Sequence, residues 1–161
     1  MTTAHPLQIV WFKRDLRCED HLPLAQAATR GPVLPLYIAE PDWWALPDAS
    51  ARQWDFVASS LQELQEDLAK RGQPLACRLG DAIQVLEGLR QDIGAFTLWS
   101  HEETGNAWTY DRDKRVLAWC RANNIEWQEV QPAGVIRRLQ QRNRSEEHTS
   151  ELQSQFRISY A

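Results

Sequence analysis

Apolar and polar positions follow two rhythms along this chain. Short apolar runs at residues 7–12, 32–38, 75–79, 95–99 and 125–130 recur at wide spacing and are predicted to be strands. The first, second and fourth are largely apolar on both faces, as strands covered by helices on both sides must be. Between them the period lengthens to three and four. Asp20 is placed to cap a helix over 21–29, with Pro23 in its first turn and Gly31 just past its end. Ser50-Ala51-Arg52-Gln53 has the form of a capping box, and Trp54, Val57, Leu61, Leu64 and Leu68 follow at helical spacing until Gly72. Asp81 caps a third helix whose buried stripe is Ile83, Leu86, Leu89 and Ile93. A fourth is predicted over 106–123, with Trp108, Val116, Trp119 and Cys120 toward the core and Asp111, Arg112, Asp113, Lys114 and Arg115 largely toward solvent. Strands joined by connections long enough for helices imply an α/β fold, a doubly wound, Rossmann-like five-stranded parallel sheet with helices on both faces. Ligands of such sheets sit beyond the carboxyl ends of the strands, here the loops after Phe12, Ile38, Trp99 and Val130.

Composition narrows the function classes. The 161 residues suit one ordinary domain, and no run approaches the length of a membrane span, so the reading is of a soluble, cytoplasmic protein without a membrane partner. A net charge of −4 with scattered basic residues lacks the footprint of a stand-alone nucleic-acid binder. Cys18, Cys77 and Cys120 are far apart and odd in number, which argues against a disulfide framework or zinc site and for buried, reduced thiols. His5, His21, His101 and His148 share no metal-ligand spacing, so no metal is expected. The seven glycines spell neither a dinucleotide fingerprint nor a phosphate loop, and no nucleophile elbow is present. Of the eight tryptophans, Trp54, Trp119 and Trp127 are expected to pack in the core, whereas the Trp43-Trp44 pair reads either as part of a ligand edge or as an apolar corner for a partner domain.

The segment 144–161 differs in kind. It is polar and aperiodic, and one permissible back-translation begins AGA TCG GAA GAG CAC ACG TCT, so that it resembles a sequencing adapter translated in frame. The expected organisation is therefore an α/β domain over 1–143 followed by a non-native tail over 144–161.

The first strand-to-helix loop carries the most specific signal. Trp11-Phe12-Lys13-Arg14-Asp15-Leu16-Arg17, then Asp20 before an apolar helix, packs alternating charges at the ligand edge. Arg14 and Arg17 offer planar forks for a carbonyl-rich ring, and Asp15 and Asp20 can orient them or cap the helix. A solvated charged loop is the bland alternative. This motif resembles the opening of the photolyase/cryptochrome family. The resemblance continues through Leu36-Tyr37-Ile38-Ala39-Glu40-Pro41, the Arg112-Asp113 pair and Gly134-Val135-Ile136-Arg137-Arg138-Leu139, and the segment from Glu102 to Tyr110 is closer to bacterial cryptochrome-like members.

That resemblance implies an antenna-binding α/β domain belonging to a longer parent, in which a C-terminal helical domain holds FAD, contacts DNA and performs light-driven repair or photoreception. That domain has no counterpart in the recognisable sequence here, so this chain alone is expected to be catalytically inactive. By family position or by ring-stacking and hydrogen-bonding chemistry, Arg14, Asp15, Arg17, Tyr37, Glu40, Glu103 and Trp108 are the candidate cofactor-binding residues, with no catalytic residue assigned. The antenna would be a deazaflavin, a lumazine or a folate. Folate is disfavoured because Trp108-Thr109-Tyr110-Asp111 stands where folate-binding members carry an Asn-Glu pair. A free-standing nucleotide-binding or electron-transfer protein and an inert fragment are the alternatives.

Overall fold

The computed structural model describes residues 4–132. The run from Gly134 to Leu139 and the segment 144–161, both singled out in the sequence, lie outside the described residues. The elements alternate as expected: β1 (Leu7–Phe12), α1 (Leu22–Arg30), β2 (Val33–Ala39), α2 (Pro41–Trp44), α3 (Ala51–Lys70), β3 (Ala76–Leu79), α4 (Ala82–Ile93), β4 (Phe96–His101), α5 (Ala107–Ala122) and β5 (Trp127–Val130). All five strands are parallel, in the order β3-β2-β1-β4-β5. The chain therefore winds outward from β1 to β3, returns across β1, and continues to β5. This reversal makes a topological switch point between the carboxyl ends of β1 and β4.

Alternation along β1 divides the core. Ile9 and Trp11 pack with Leu36, Ile38, Leu86, Leu98 and Val116 under α4 and α5. Val10 and Phe12 pack with Ala27, Tyr37, Leu64 and Leu68 under α1 and α3. Gln8, a polar residue inside the sheet, is bonded on both sides, as burial requires. Gln8 accepts a hydrogen bond from Trp99 Nε1 at 2.7 Å and donates to the Pro6 carbonyl at 2.8 Å.

The Ser50–Gln53 capping box and the Asp81 cap form as expected. The first cap does not. His21, not Asp20, caps α1, its Nδ1 accepting from Leu24 N at 3.1 Å, while Asp20 takes a left-handed turn at φ 49°. The four-residue α2 was not anticipated, because Pro41-Asp42-Trp43-Trp44 is too short to carry a period. Trp54 is 40% exposed and meets Trp44 edge to face, rather than entering the core, and Ile93 is also exposed, at the last position of α4. Of the cysteines only Cys120 is buried; Cys18 is half-buried and Cys77 exposed, and all three are free.

Candidate functional site

The period-2 rule that places Trp11 under α5 also sends Lys13, one step beyond the strand, to the same face, and Leu36 and Ile38 send Glu40 there too. On α5 the positions Thr109, Arg112, Asp113, Val116 and Cys120 are the buried ones. Arg112 and Asp113 thus belong to the buried face, correcting the expectation that this charged run is solvated. Their spacing to Val116 and Cys120 was the available signal; their charge masked it.

These elements bring together a nearly dry ionic cluster at the carboxyl edge of the sheet. Arg112 bonds Glu40 Oε2 through Nη1 at 2.5 Å, Glu103 through Nη2, and Asp113 Oδ1 at 3.0 Å. Lys13 Nζ reaches Asp113 at 3.2 Å and sits over the rings of Trp11 (4.5 Å) and Trp127 (5.2 Å). The Arg112 guanidinium lies 4.9 Å from the Trp11 ring and 5.7 Å from that of Trp108. Arg14 forms the outer layer: its side chain is 54% exposed, bonds Glu103 Oε1 at 3.1 Å and lies 5.6 Å from the Trp43 ring.

Burial and charge set the protonation of this cluster. Burial works against the Arg112 charge, but Glu103, Glu40 and Asp113 together hold its pKa above the ordinary value. Burial lowers Lys13, with Asp113 opposing. Burial also lifts Glu40 to about 7, although Arg112 pulls the other way. Two polar atoms of one turn, Glu40 Oε1 and Trp43 Nε1, are buried with no hydrogen-bond partner, as is Glu102 Oε2.

Arg14, Glu40, Glu103 and Trp108 of the expected site are therefore drawn around Arg112. Tyr37 packs on the opposite sheet face; burial raises its hydroxyl to about 12, while a hydrogen bond with Trp44 pulls it down. Arg17 turns away and donates to the carbonyls of Glu19 and Asp20 at 3.1 and 3.2 Å. Asp15 orients neither arginine. Its Oδ2 lies 2.5 Å from His21 Nε2 and 2.6 Å from His101 Nδ1, and its Oδ1 accepts from Lys13 N at 2.9 Å. Burial would raise Asp15, but the bonds from His101 and His21 overcome it and hold the carboxyl well below its usual range.

Asp15, His21 and His101 have ligand atoms within 4.8 Å of one another, a grouping that sequence spacing does not show. Its chemistry favours a hydrogen-bonded tie over a cation site. The Leu24 N–H can only donate, so His21 Nδ1 carries the lone pair and Nε2 carries the proton aimed at Asp15. A metal ion there would have to displace that proton. A separate hollow of about 640 Å³ between α1 and α3 is lined mainly by apolar side chains, among them Leu24, Val33, Pro35 and Leu68, and does not include the ionic cluster. Among the described residues no helix is long and apolar enough to cross a membrane.

With this geometry in hand, comparison with known proteins is consistent across sequence and structure. The sequence model of the DNA photolyase family matches residues 8–154, running past residue 143 into the polar tail. The chain is similar to the deoxyribodipyrimidine photo-lyase of Agrobacterium fabrum, 40% identical over 103 residues, covering 62% of this chain and 21% of that protein. It is also similar to the chloroplastic/mitochondrial cryptochrome DASH of Arabidopsis thaliana, 33% identical over 103 residues, covering 60% of this chain and 18% of that one. In structure it resembles the archaeal photolyase of Sulfolobus tokodaii, described with two FAD molecules and a novel light-harvesting cofactor, at TM-score 0.68 and 26% identity, covering 82% of this chain and 32% of that chain.

Proposed function

Because this chain belongs to the DNA photolyase family, we propose that it is the antenna-chromophore-binding α/β portion of a photolyase- or cryptochrome-type flavoprotein. The observation that carries this reading is the placement of Arg14 and Glu103 on the loops that leave β1 and β4, where the winding of the sheet reverses. That crevice is where open α/β sheets bind ligands. Arg14 supplies an accessible planar cation against Trp43, and Arg112 is held rigid behind it by Glu40, Glu103 and Asp113. The Sulfolobus tokodaii protein, with two FAD molecules, supports a flavin or another fused heterocycle as occupant. The chain spans only about a fifth of the length of the curated relatives it matches. FAD chemistry and contact with DNA are accordingly proposed for a helical domain of the full-length parent. Within the chain, residues 1–143 are proposed as the native α/β unit and 144–161 as a translated adapter, which resequencing the locus tests.

The binding reading is tested by titrating the purified protein with riboflavin, a deazaflavin, a lumazine and methenyltetrahydrofolate, following absorption and fluorescence. Saturable binding of one of them, weakened in Arg14→Glu, is the expected result. Absence of saturable binding by all four overturns the reading, and tight adenine-nucleotide binding alone would favour a stand-alone nucleotide-binding protein.

A further inference from the structure

Apart from the ionic cluster around Arg112, three titratable side chains meet at one carboxylate oxygen. His21 has no exposed side-chain surface, and its ring centroid lies 4.6 Å from those of both Phe12 and His101. Its Nε2 proton is aimed at Asp15 Oδ2, and its Nδ1 lone pair receives the Leu24 N–H, the side-chain cap of α1. His101 is placed differently. Its Nδ1 donates to the same Oδ2, whereas its Nε2 has no hydrogen-bond partner among the described residues.

The two rings therefore differ in what an added proton disturbs. On His101 Nε2 it breaks no bond and strengthens the attraction to a carboxylate that stays ionised, since the bonds from both histidines hold Asp15 well below its usual range. On His21 Nδ1 it makes a donor of the nitrogen that faces the Leu24 N–H, and it sets two cationic rings side by side. The first turn of α1 offers no replacement for that cap, because it contains no acidic residue.

Few other charges face this unit. Lys13 gives Asp15 its backbone N–H, while its ammonium is committed to Asp113 on the other face of the sheet. From β2 comes Tyr37, kept neutral because burial raises its hydroxyl to about 12. Asp20, Cys18 and, just past α3, Arg71 share with His21 the walls of the hollow beside α1. Burial raises the Cys18 thiol, which stays neutral. Glu126, just before β5, pairs with Arg30 at the opposite end of α1.

We propose that Asp15, His21 and His101 form an acid-responsive switch, which holds a first proton on His101 with α1 intact and a second on His21 only by uncapping α1. The bistable element is the first turn of that helix. Asp15 and His21 also anchor the loop that carries Arg14, so acid loosens the loop together with the turn. The switch operates whatever the cleft binds, and it stands or falls separately from the chromophore reading.

Amide hydrogen exchange of the whole chain, resolved by residue with NMR at pH 7.5, 6 and 5 and corrected for the intrinsic effect of pH on exchange, tests it. Gln53 N and Thr109 N are the references, being the equivalent amides of α3 and α5, held by Ser50 and Asn106, which do not titrate. Relative to both, protection of Leu24 N is expected to fall about fivefold or more between pH 7.5 and pH 5, the effect of one lost cap. His21→Asn keeps a capping oxygen that takes no proton, and is expected to abolish the fall. Equal pH profiles for the three amides overturn the switch, as does a fall at Leu24 that persists in His21→Asn. Should that variant fail to fold by circular dichroism, the imidazole nitrogen shifts of the native protein decide. His21 must gain its proton on Nδ1 over the interval in which Leu24 loses protection, and a His21 that keeps its neutral tautomer throughout overturns the switch.

Discussion

Replacing Arg112 with Met removes the one group that touches Glu40, Glu103 and Asp113 at once, while keeping a side chain of similar length. The losses differ. Glu103 retains Arg14 and Asp113 retains Lys13, so each loses one charge-assisted bond, together about 3 kcal/mol at the low end of such interactions. Glu40 loses its only ion-pair partner among the described residues and must be neutral in the folded variant. In the native protein Glu40 already titrates near 7, against an ordinary 4.5. At pH 8 the native carboxyl is ionised and the variant's is not, and holding it neutral one unit above its native pKa adds about 1 kcal/mol. At pH 5.5 Glu40 is protonated in both proteins and this contribution vanishes. The total is therefore about 4 kcal/mol at pH 8 and about 3 kcal/mol at pH 5.5, within the range for breaking a buried ion pair. For a chain of this size that corresponds to a melting point lower by roughly 8–16 °C at pH 8. Urea unfolding followed by tryptophan fluorescence at both pH values measures it. A loss below 1 kcal/mol at pH 8, or one that grows toward acid, would refute the reasoning.

Two other outcomes follow from geometry already described. Asp15→Asn leaves one amide oxygen where three donors, the two imidazoles on Oδ2 and the Lys13 N–H on Oδ1, need two, so whichever way the amide turns an N–H faces another donor, and at neutral pH it destabilises by about 1–3 kcal/mol. Because the native carboxyl is held below its ordinary 3.8, its contribution is present above that value and is lost as pH falls beneath it, so the gap between variant and native protein narrows in acid. A constant gap from pH 7 to pH 3 in chemical denaturation would count against the tie. Gly31→Ala places a Cβ 2.6 Å from the Pro6 carbonyl oxygen and 3.2 Å from His5 Cβ, and is expected to lower stability by about 1–3 kcal/mol, since the obstacle is backbone rather than a flexible side chain. Differential scanning calorimetry would show a melting point unchanged within a degree if that crowding were relieved elsewhere.

Much of this architecture is local information. The Ser50–Gln53 capping box, the Asp81 cap and the five apolar runs each act over a few residues, and each is found where those residues place it. The elements that escaped depend on distant partners. His21 wins the α1 cap because its other ring nitrogen is anchored by Asp15, which is itself held by a histidine 86 positions away. Arg112 and Asp113 read as solvated because charge ordinarily avoids burial, and only their carboxylate and lysine partners on other loops reverse that preference. Trp54 reads as core because it begins an apolar stripe, yet it stands in the first turn of α3, where its edge-to-face contact is with Trp44 on the unforeseen α2. For the site, the first loop supplied Arg14, while the importance of Arg112 is visible only when β1, β2, β4 and α5 are assembled.

The ties across the carboxyl edge also act as a check on assembly. Asp15 meets His101, Lys13 meets Asp113 and Glu40 meets Arg112 across 86, 100 and 72 residues. The first requires β1 and β4 to pair as Val10 with Trp99, since a slip of one residue would turn His101 to the other side of the sheet, away from Asp15; the other two require α5 to bring Arg112 and Asp113 to the loops after β2 and β1. Apolar side chains in the central strands tolerate approximate neighbours, but buried charges do not. During synthesis the edge stays open until α5 has emerged, and its closure then distinguishes the correctly threaded sheet from its near neighbours.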